Sequence, residues 1–200
     1  MYEEQDDLKP VILSDLDISH PKVKRAVQMA RNWQARKHSG HPEASLVLSG
    51  SVGVGKTHIA QAIWWSDRYR PDGITVERPM GYFRLANQII QELDQDIIMS
   101  LKINPARGLV VVDDVGSEQT IQFVSTGAQQ FERQQRYFKL INYCYGKKIS
   151  LIITSNLTLD ELRKHIGERA WDRLSEMAPK GFMLEMFDVP SHRQKLGGRK

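Results

Sequence analysis

Apolar positions along the chain alternate between a helical period and short unbroken runs. After His20-Pro21, the residues Val23, Ala26, Val27, Ala30 and Trp33 keep a helical spacing and predict a helix over 19–37. The stretch HSGHPEAS at 38–45 reads as a loop. Leu46, Val47 and Leu48 predict a short buried strand, followed by the glycine-rich turn Gly50 to Gly55. A helix from about Lys56 to Tyr69 comes next, ended by Pro71, Asp72 and Gly73. Tyr82-Phe83 predicts a second strand, Ile89, Ile90, Leu93, Ile97 and Ile98 suit a helix, and Leu109 to Val112 predicts a third strand. Residues 130–145 predict a helix with the stripe Phe131, Phe138, Ile141 and Tyr145, ended by Gly146. Ile149 to Ile153 predicts a fourth strand, 159–176 two short helices broken near Gly167, and Phe182 to Phe187 a fifth strand. Strands alternating with helices predict an α/β fold around a mainly parallel sheet.

Composition narrows the class. With 200 residues, 40% hydrophobic and 26% charged, the chain can bury a core without staples, and disorder, collagen and coiled coil are excluded. The one cysteine, Cys144, supplies neither a disulfide framework nor a zinc cluster. The longest apolar run, Leu109 to Val112, is far short of a membrane span. The polar start MYEEQDDLKP is not a secretory signal, so a reducing, cytoplasmic setting is expected. The net charge of +4 is unevenly spread: Glu3, Glu4, Asp6 and Asp7 lie at one end, Arg193, Lys195, Arg199 and Lys200 at the other. These are solvated tails, or the basic one touches nucleic-acid phosphates. The expected division is an acidic, weakly structured arm at 1–18, one domain at 19–193 and a basic tail at 194–200.

The strongest chemical signal is Gly50-Ser51-Val52-Gly53-Val54-Gly55-Lys56-Thr57, which fits G-x-x-x-x-G-K-S/T at every required position between a predicted strand and helix. Glycines let the backbone curl so that successive N–H groups face phosphate oxygens, and the opening helix adds its positive end. The expected nucleotide-binding run is therefore Gly50 through Thr57 with His58 behind it, although the His58 side chain reads as ordinary helix surface. Lys56 is expected on the β- and γ-phosphates, and the Thr57 hydroxyl on Mg²⁺.

Leu109 to Val112 runs into Asp113-Asp114. Ligands of open parallel sheets bind at the carboxyl ends of strands, which brings this pair beside the phosphate loop. Asp113 is assigned to the metal and Asp114 to the attacking water. The fourth strand ends in Thr154-Ser155-Asn156, where Asn156 can hydrogen-bond the γ-phosphate or the water. In GERAWDRL, Arg169 and Arg173 are four apart and share a helix face. They form a solvated face ion-paired with Glu168, Asp172 and Glu176, or supply an arginine finger to a transferring phosphoryl group.

Together, GSVGVGKTHIA, LVVVDDVG, LIITSNL, GERAWDRL and the closing SHR resemble, in order, the AAA+ ATPases of the DnaC/IstB group, over roughly residues 20–193. This group includes the bacterial helicase loader and the ATPase subunits of some transposons. The resemblance implies a P-loop NTPase core: a three-layer α/β/α fold with a parallel five-stranded sheet ordered 5-1-4-3-2. It also implies ATP hydrolysis with Mg²⁺ and assembly into a ring or helical filament. Asn156 falls on the sensor-1 asparagine, and Arg173 on the finger that acts on a neighbour's ATP. Arg169 falls on an arginine one turn earlier, and Arg193 near the arginine that closes the domain. Seven residues follow Arg193, so no C-terminal lid domain is expected. Asp114 stands where many AAA+ proteins carry glutamate, and its reach is shorter.

In the same group single-stranded DNA is gripped by helices before the double-aspartate strand, here about 85–107, with Arg84, Lys102 and Arg107 as cations. The isoleucines of that stretch read first as core, as do Trp33, Trp64, Trp65 and Trp171, although aromatics can stack on bases. The leading function is a DNA-associated, replication helicase-loader-like ATPase, with a replicative helicase as partner. A transposition ATPase with a transposase partner is the near alternative, and a nucleotide-gated oligomeric scaffold with little hydrolysis is the third. A nucleotide kinase fits poorly, because no arginine-rich lid lies between the third and fourth strands. The adenine pocket is expected near Leu16 to Val23.

Overall fold

The computed structural model describes residues 11–39, 45–68, 81–86, 108–117, 127–178 and 181–192. Five strands, β1 (Leu46–Ser49), β2 (Gly81–Leu85), β3 (Leu109–Val115), β4 (Ser150–Ser155) and β5 (Met183–Glu185), form one sheet in the order β2-β3-β4-β1-β5. Every pairing is parallel. This is the 5-1-4-3-2 order that the resemblance implies, a P-loop AAA+ α/β core.

Strand side chains alternate between faces, so one run of apolar residues feeds two cores. Leu46, Leu48, Leu109, Val111, Ile152 and Leu184 pack with helices α1 (Pro21–His38) and α2 (Lys56–Arg68). Val47, Val110, Val112, Leu151 and Ile153 pack on the other face, against α3 (Gly127–Lys147), α4 (Leu159–Ile166) and α5 (Glu168–Met177). Trp33, Trp64 and Trp65 are buried in the first core, with the last two rings edge to face at 5.1 Å. They are packing residues and offer no surface for stacking on bases.

Local chemistry fixes the helix ends. The His20 ring accepts from the Lys22 N–H at 3.2 Å, with Pro21 as the first helical residue of α1. Thr158 and Glu161 form a reciprocal capping box on α4. Gly167 both ends α4 and precedes α5, where the sequence placed the break.

Four expectations are corrected. The predicted stripe of α3 was Phe131, Phe138, Ile141 and Tyr145, but the buried residues are Tyr137, Leu140, Ile141 and Cys144. Phe131 is 62% and Tyr145 38% exposed. Both stripes obey the helical period, and the larger aromatics drew the reading one position around the helix. The helix also runs through Gly146. It ends with Lys148 at φ 55°, whose N–H reaches Tyr145 O while the Ile149 N–H reaches Cys144 O. That pair of bonds is a Schellman ending, built on lysine where glycine is usual. Strand β3 continues past Val112 to Val115 and contains both aspartates, and β5 is shorter than predicted. Within the expected arm, Leu13–Asp15 form a 3₁₀ turn, and Leu13 and Leu16 pack against the α1–α2 core.

The predicted helix at 89–98, Lys102, Arg107, Arg193 and the basic tail lie outside the described residues, as do residues 1–10. Among the described residues, no helix is long and apolar enough to cross a membrane.

Candidate nucleotide-binding site

The carboxyl ends of β1, β3 and β4 converge, because the order β3-β4-β1 makes them neighbours. Strand β1 ends at Ser49, and the loop Gly50 to Gly55 turns directly into α2. Gly50 has a φ of +152° and Gly55 of +98°, values that only glycine adopts without strain. The first intrahelical bond of α2 runs from the Ile59 N–H to Gly55 O, at 3.0 Å. Earlier N–H groups of the helix start, His58 included, therefore point out of the helix toward the loop. The His58 side chain is exposed, as expected of helix surface.

Segment 186–192, which follows β5, straps this loop. The Met186 N–H donates to Ser49 O at 2.8 Å, the Ser51 hydroxyl to Phe187 O at 3.3 Å, and the His192 N–H to Gly53 O at 3.0 Å. Lys22 of α1 meets Asp188 at 2.7 Å. Val54, Met186, Val189 and Val23 lie in one apolar cluster, with Leu16 packed against it. The segment expected near the adenine thus adjoins the phosphate loop and its strap.

Two hydrogen-bond chains cross the site. In the first, the Lys56 ammonium donates to Gly50 O at 2.7 Å, Ser51 O at 2.8 Å and Asn156 Oδ1 at 2.8 Å. The Asn156 amide donates in turn to Asp114 Oδ1 at 2.6 Å. In the second, the Thr57 hydroxyl donates to the Asp113 carboxylate, 2.9 Å from Oδ1, and the Thr154 hydroxyl donates to the same oxygen at 2.6 Å. Lys56 is only 6% exposed, and burial brings its ammonium from 10.5 down to about 8, against the upward pull of Asp114 and Asp113. Burial likewise raises the Asp113 carboxyl above its ordinary range, while the Thr154 and Thr57 hydroxyls oppose that rise.

The residues fit a magnesium nucleotide. Thr57 and Asp113 bring hard oxygen atoms together, and Mg²⁺ characteristically takes only one or two protein oxygens beside phosphates and water. Among the described residues there is no cluster of three or more histidine, cysteine or carboxylate groups that would suit an all-protein metal cage. The buried cation, the curled backbone and the helix start all offer donors to polyphosphate.

The two arginines are elsewhere. Arg169 is exposed, with its guanidinium 4.3 Å from the Phe138 ring centroid. Arg173, 36% exposed as a side chain, lies 5.0 Å from the Tyr145 ring centroid and faces Glu176 at 3.5 Å and Asp172 at 3.6 Å. Both sit on the α3–α5 layer, across the sheet from α2. Of the expected ion pairs, Arg173 meets Asp172 and Glu176, whereas Glu168 pairs with Arg163 instead.

Sequence reasoning gave Thr154 no role of its own, although its hydroxyl touches both aspartates: it also accepts the Asp114 N–H at 2.9 Å. The polar run Thr154-Ser155-Asn156 was the available signal. The strap was also missed, because its bonds to the loop are mostly backbone bonds.

Comparison with known proteins agrees with this geometry. Residues 40–174 match the family described as IstB-like ATP binding protein. The chromosomal replication initiator protein DnaA of Leptospira biflexa is 29% identical over 155 residues, covering 76% of this chain and 31% of that protein. The chain thus spans about a third of the length of this relative. The DnaC helicase loader structure superposes with a TM-score of 0.61 at 24% identity, covering 88% of this chain and 96% of that one. A replication initiator DnaA bound to AMPPCP and single-stranded DNA gives 0.58 at 19% identity, covering 90% and 51%. The chain belongs to the IstB-like ATP binding protein family, and its core is an AAA+ ATP-binding domain of the IstB/DnaC kind.

Proposed function

We propose that this protein is a DNA-associated, helicase-loader-like ATPase of replication that hydrolyses ATP at the interfaces between its own copies. The observation that carries the reading is the chain Lys56–Asn156–Asp114 beside the oxygen pair Thr57–Asp113, all at the carboxyl end of the sheet. Backbone N–H groups of residues 50–58 bind the phosphates, and Lys56 neutralises charge on the β- and γ-groups. Thr57 and Asp113 would hold Mg²⁺, which would screen the phosphate charge. Asp114 orients a water and takes its proton as the water oxygen bonds the γ-phosphorus. The bond from that phosphorus to the β–γ bridging oxygen breaks, and ADP leaves with the electron pair. Asn156 holds Asp114 in orientation. Arg173 of a neighbouring copy stabilises the transferring group, and Arg169 lies one turn before it on the same face.

Likeness to the DnaC helicase loader over most of both chains supports the loader setting, with a replicative helicase as partner. The IstB family match supports the transposition alternative, in which a transposase co-purifies instead. Single-stranded DNA is the proposed nucleic-acid ligand. Reversing the charges of Lys102 and Arg107 should weaken its binding and flatten the salt slope, and an unchanged slope removes those residues from the contact. The single cysteine suits a reducing, cytoplasmic setting.

A specific observation favours the scaffold reading as second choice: one oxygen of Asp114 already accepts from Asn156 at 2.6 Å. The deciding experiment is ATP turnover per subunit as protein concentration rises, with and without single-stranded DNA. Turnover that climbs with concentration and responds to DNA supports interface hydrolysis. Flat, negligible turnover despite tight ATP binding replaces it with a nucleotide-gated scaffold.

A further inference from the structure

We propose that Thr154 is the positioning residue of the acidic pair: its buried hydroxyl holds Asp113 and Asp114 in the one arrangement that aims both at the nucleotide. The inference rests on the nucleotide reading of the site.

Two consecutive residues of a regular strand point to opposite faces. On β3, Leu109 and Val111 enter the α1–α2 core, while Val110 and Val112 enter the other. Continuing that period, Asp113 faces α2, as its bond to Thr57 requires, and Asp114 would face away. The strand pairing breaks at this point. Val112 pairs with Ile153 and Val115 with Ser155, so two aspartates oppose the single residue Thr154. This is a bulge, the feature that inserts one residue and re-aims a side chain. Its effect is visible beyond it: Val115 enters the same core as Val110 and Val112, where an unbroken period would send it to the other face. Asp114 absorbs the change with φ 60°.

The bulge costs the regular ladder at Asp114, and Thr154 replaces it. Its hydroxyl accepts the Asp114 N–H at 2.9 Å and donates its only proton to Asp113 Oδ1 at 2.6 Å. Thr154 is fully buried, so water does not substitute for it. Of the two hydroxyls on Asp113, that of Thr57 is the one assigned to the metal. Thr154 is then the contact that steers Asp113 independently of metal binding, and the same oxygen fixes the backbone that carries Asp114.

Thr154→Val keeps the side-chain shape and removes the hydroxyl; Thr154→Ala removes it with less bulk, should the valine variant not fold. Thr154→Ser keeps it. A fluorescent ATP analogue is titrated against each variant in EDTA and in Mg²⁺, and kcat and KM are measured. The hydroxyl-free variant should bind in EDTA within about threefold of wild type and lose most of the Mg²⁺-dependent gain in affinity. Its kcat should fall about 100-fold, the scale of loss for a misplaced catalytic group, and its KM in Mg²⁺ should rise with the lost affinity. Thr154→Ser should restore both to within about threefold. The proposal is overturned if the hydroxyl-free variant keeps the Mg²⁺ gain, if serine fails as badly while melting normally, or if wild type shows no Mg²⁺ gain. Failure of the hydrolysis reading is recognised separately, as wild-type turnover no higher than that of Asp114→Asn, and the Mg²⁺ titration still decides on Thr154.

Discussion

Two glycines of the phosphate loop are expected to fail in different ways when changed to alanine. Gly50 has φ +152°, and a Cβ there would lie 2.8 Å from Met186 Cβ and 2.9 Å from its carbonyl carbon and oxygen. Gly55 has φ +98°, but a Cβ there meets nothing within 4 Å. Both variants carry the backbone strain of a positive φ, about 1–3 kcal/mol. Only Gly50→Ala adds a clash with backbone, and that backbone cannot yield cheaply. Met186 is buried, and its N–H is bonded to Ser49 O at 2.8 Å. Overpacking of this kind costs a further ~1–3 kcal/mol. At roughly 2–4 °C per kcal/mol for a chain of this size, Gly50→Ala should melt about 2–12 °C below Gly55→Ala. Thermal unfolding by circular dichroism, without nucleotide, reads this difference. The Gly55 methyl instead projects into the open side of the loop, so Gly55→Ala should lose most of its ATP affinity while folding. Equal melting temperatures, or a Gly55→Ala variant that binds ATP normally, would refute the assignment of Gly50 to the strap and Gly55 to the ligand.

Three further outcomes are expected. Arg173→Ala should lower kcat about 10³-fold at saturating ATP with affinity little changed. Mixing it with Lys56→Ala should restore part of the activity, because each variant supplies what the other lacks; mixtures no better than the separate proteins would place the finger elsewhere. The Lys56 pair of values sets a proton linkage: the folded group releases its proton near pH 8 and the unfolded one near 10.5. Between those values the unfolded chain binds more protons, so the free protein gains stability as pH rises through that window. Bound phosphates favour the ammonium, so calorimetry in buffers of different ionisation enthalpy should detect about one proton taken up with ATP at pH 9 and almost none at pH 6.5; no uptake at pH 9 would contradict the buried, desolvated ammonium. Burial pushes the Cys144 thiol from 9.0 to about 12, so its contribution to stability is full below pH 9 and is lost as pH rises toward 12. A thiol reagent at pH 8 should modify native protein only through opening, at least about 10³-fold more slowly than unfolded protein, and rapid native labelling would contradict that burial.

How far the sequence could be read depended on which interactions were local. The phosphate loop is one continuous run whose residue types are dictated by backbone curvature and helix start, so Gly50 to Thr57 could be found without the fold. The neighbouring strand tips became legible through the rule that parallel sheets bind ligands at their carboxyl ends. That rule brought Asp113, Asp114 and Asn156 toward Lys56, although it could not show that Asn156 bridges Lys56 and Asp114. The α3 stripe was misread because a helix with aromatics on two faces satisfies the same spacing twice. Tyr137 and Cys144 are buried because the sheet, α4 and α5 all pack on that side of α3, a tertiary fact. The strap was invisible because its Met186 and His192 contacts are made by N–H groups that every non-proline residue possesses.

The bulge at Asp114 connects two observations that are unrelated in the sequence, a second aspartate in place of glutamate and a threonine one strand away. A backbone at φ 60° is several-fold enriched in aspartate and asparagine, whose short side chains tolerate it. Glutamate would gain reach toward a water but would lengthen the side chain at a position where Asn156 already meets the acid at 2.6 Å. The shorter acid is therefore the one that this backbone and this partner accept. Asp114 is brought toward Asn156 and Lys56 by the extra residue in the strand rather than by an extra methylene in the side chain. Reach has been built into the main chain, and Thr154 is what keeps it there.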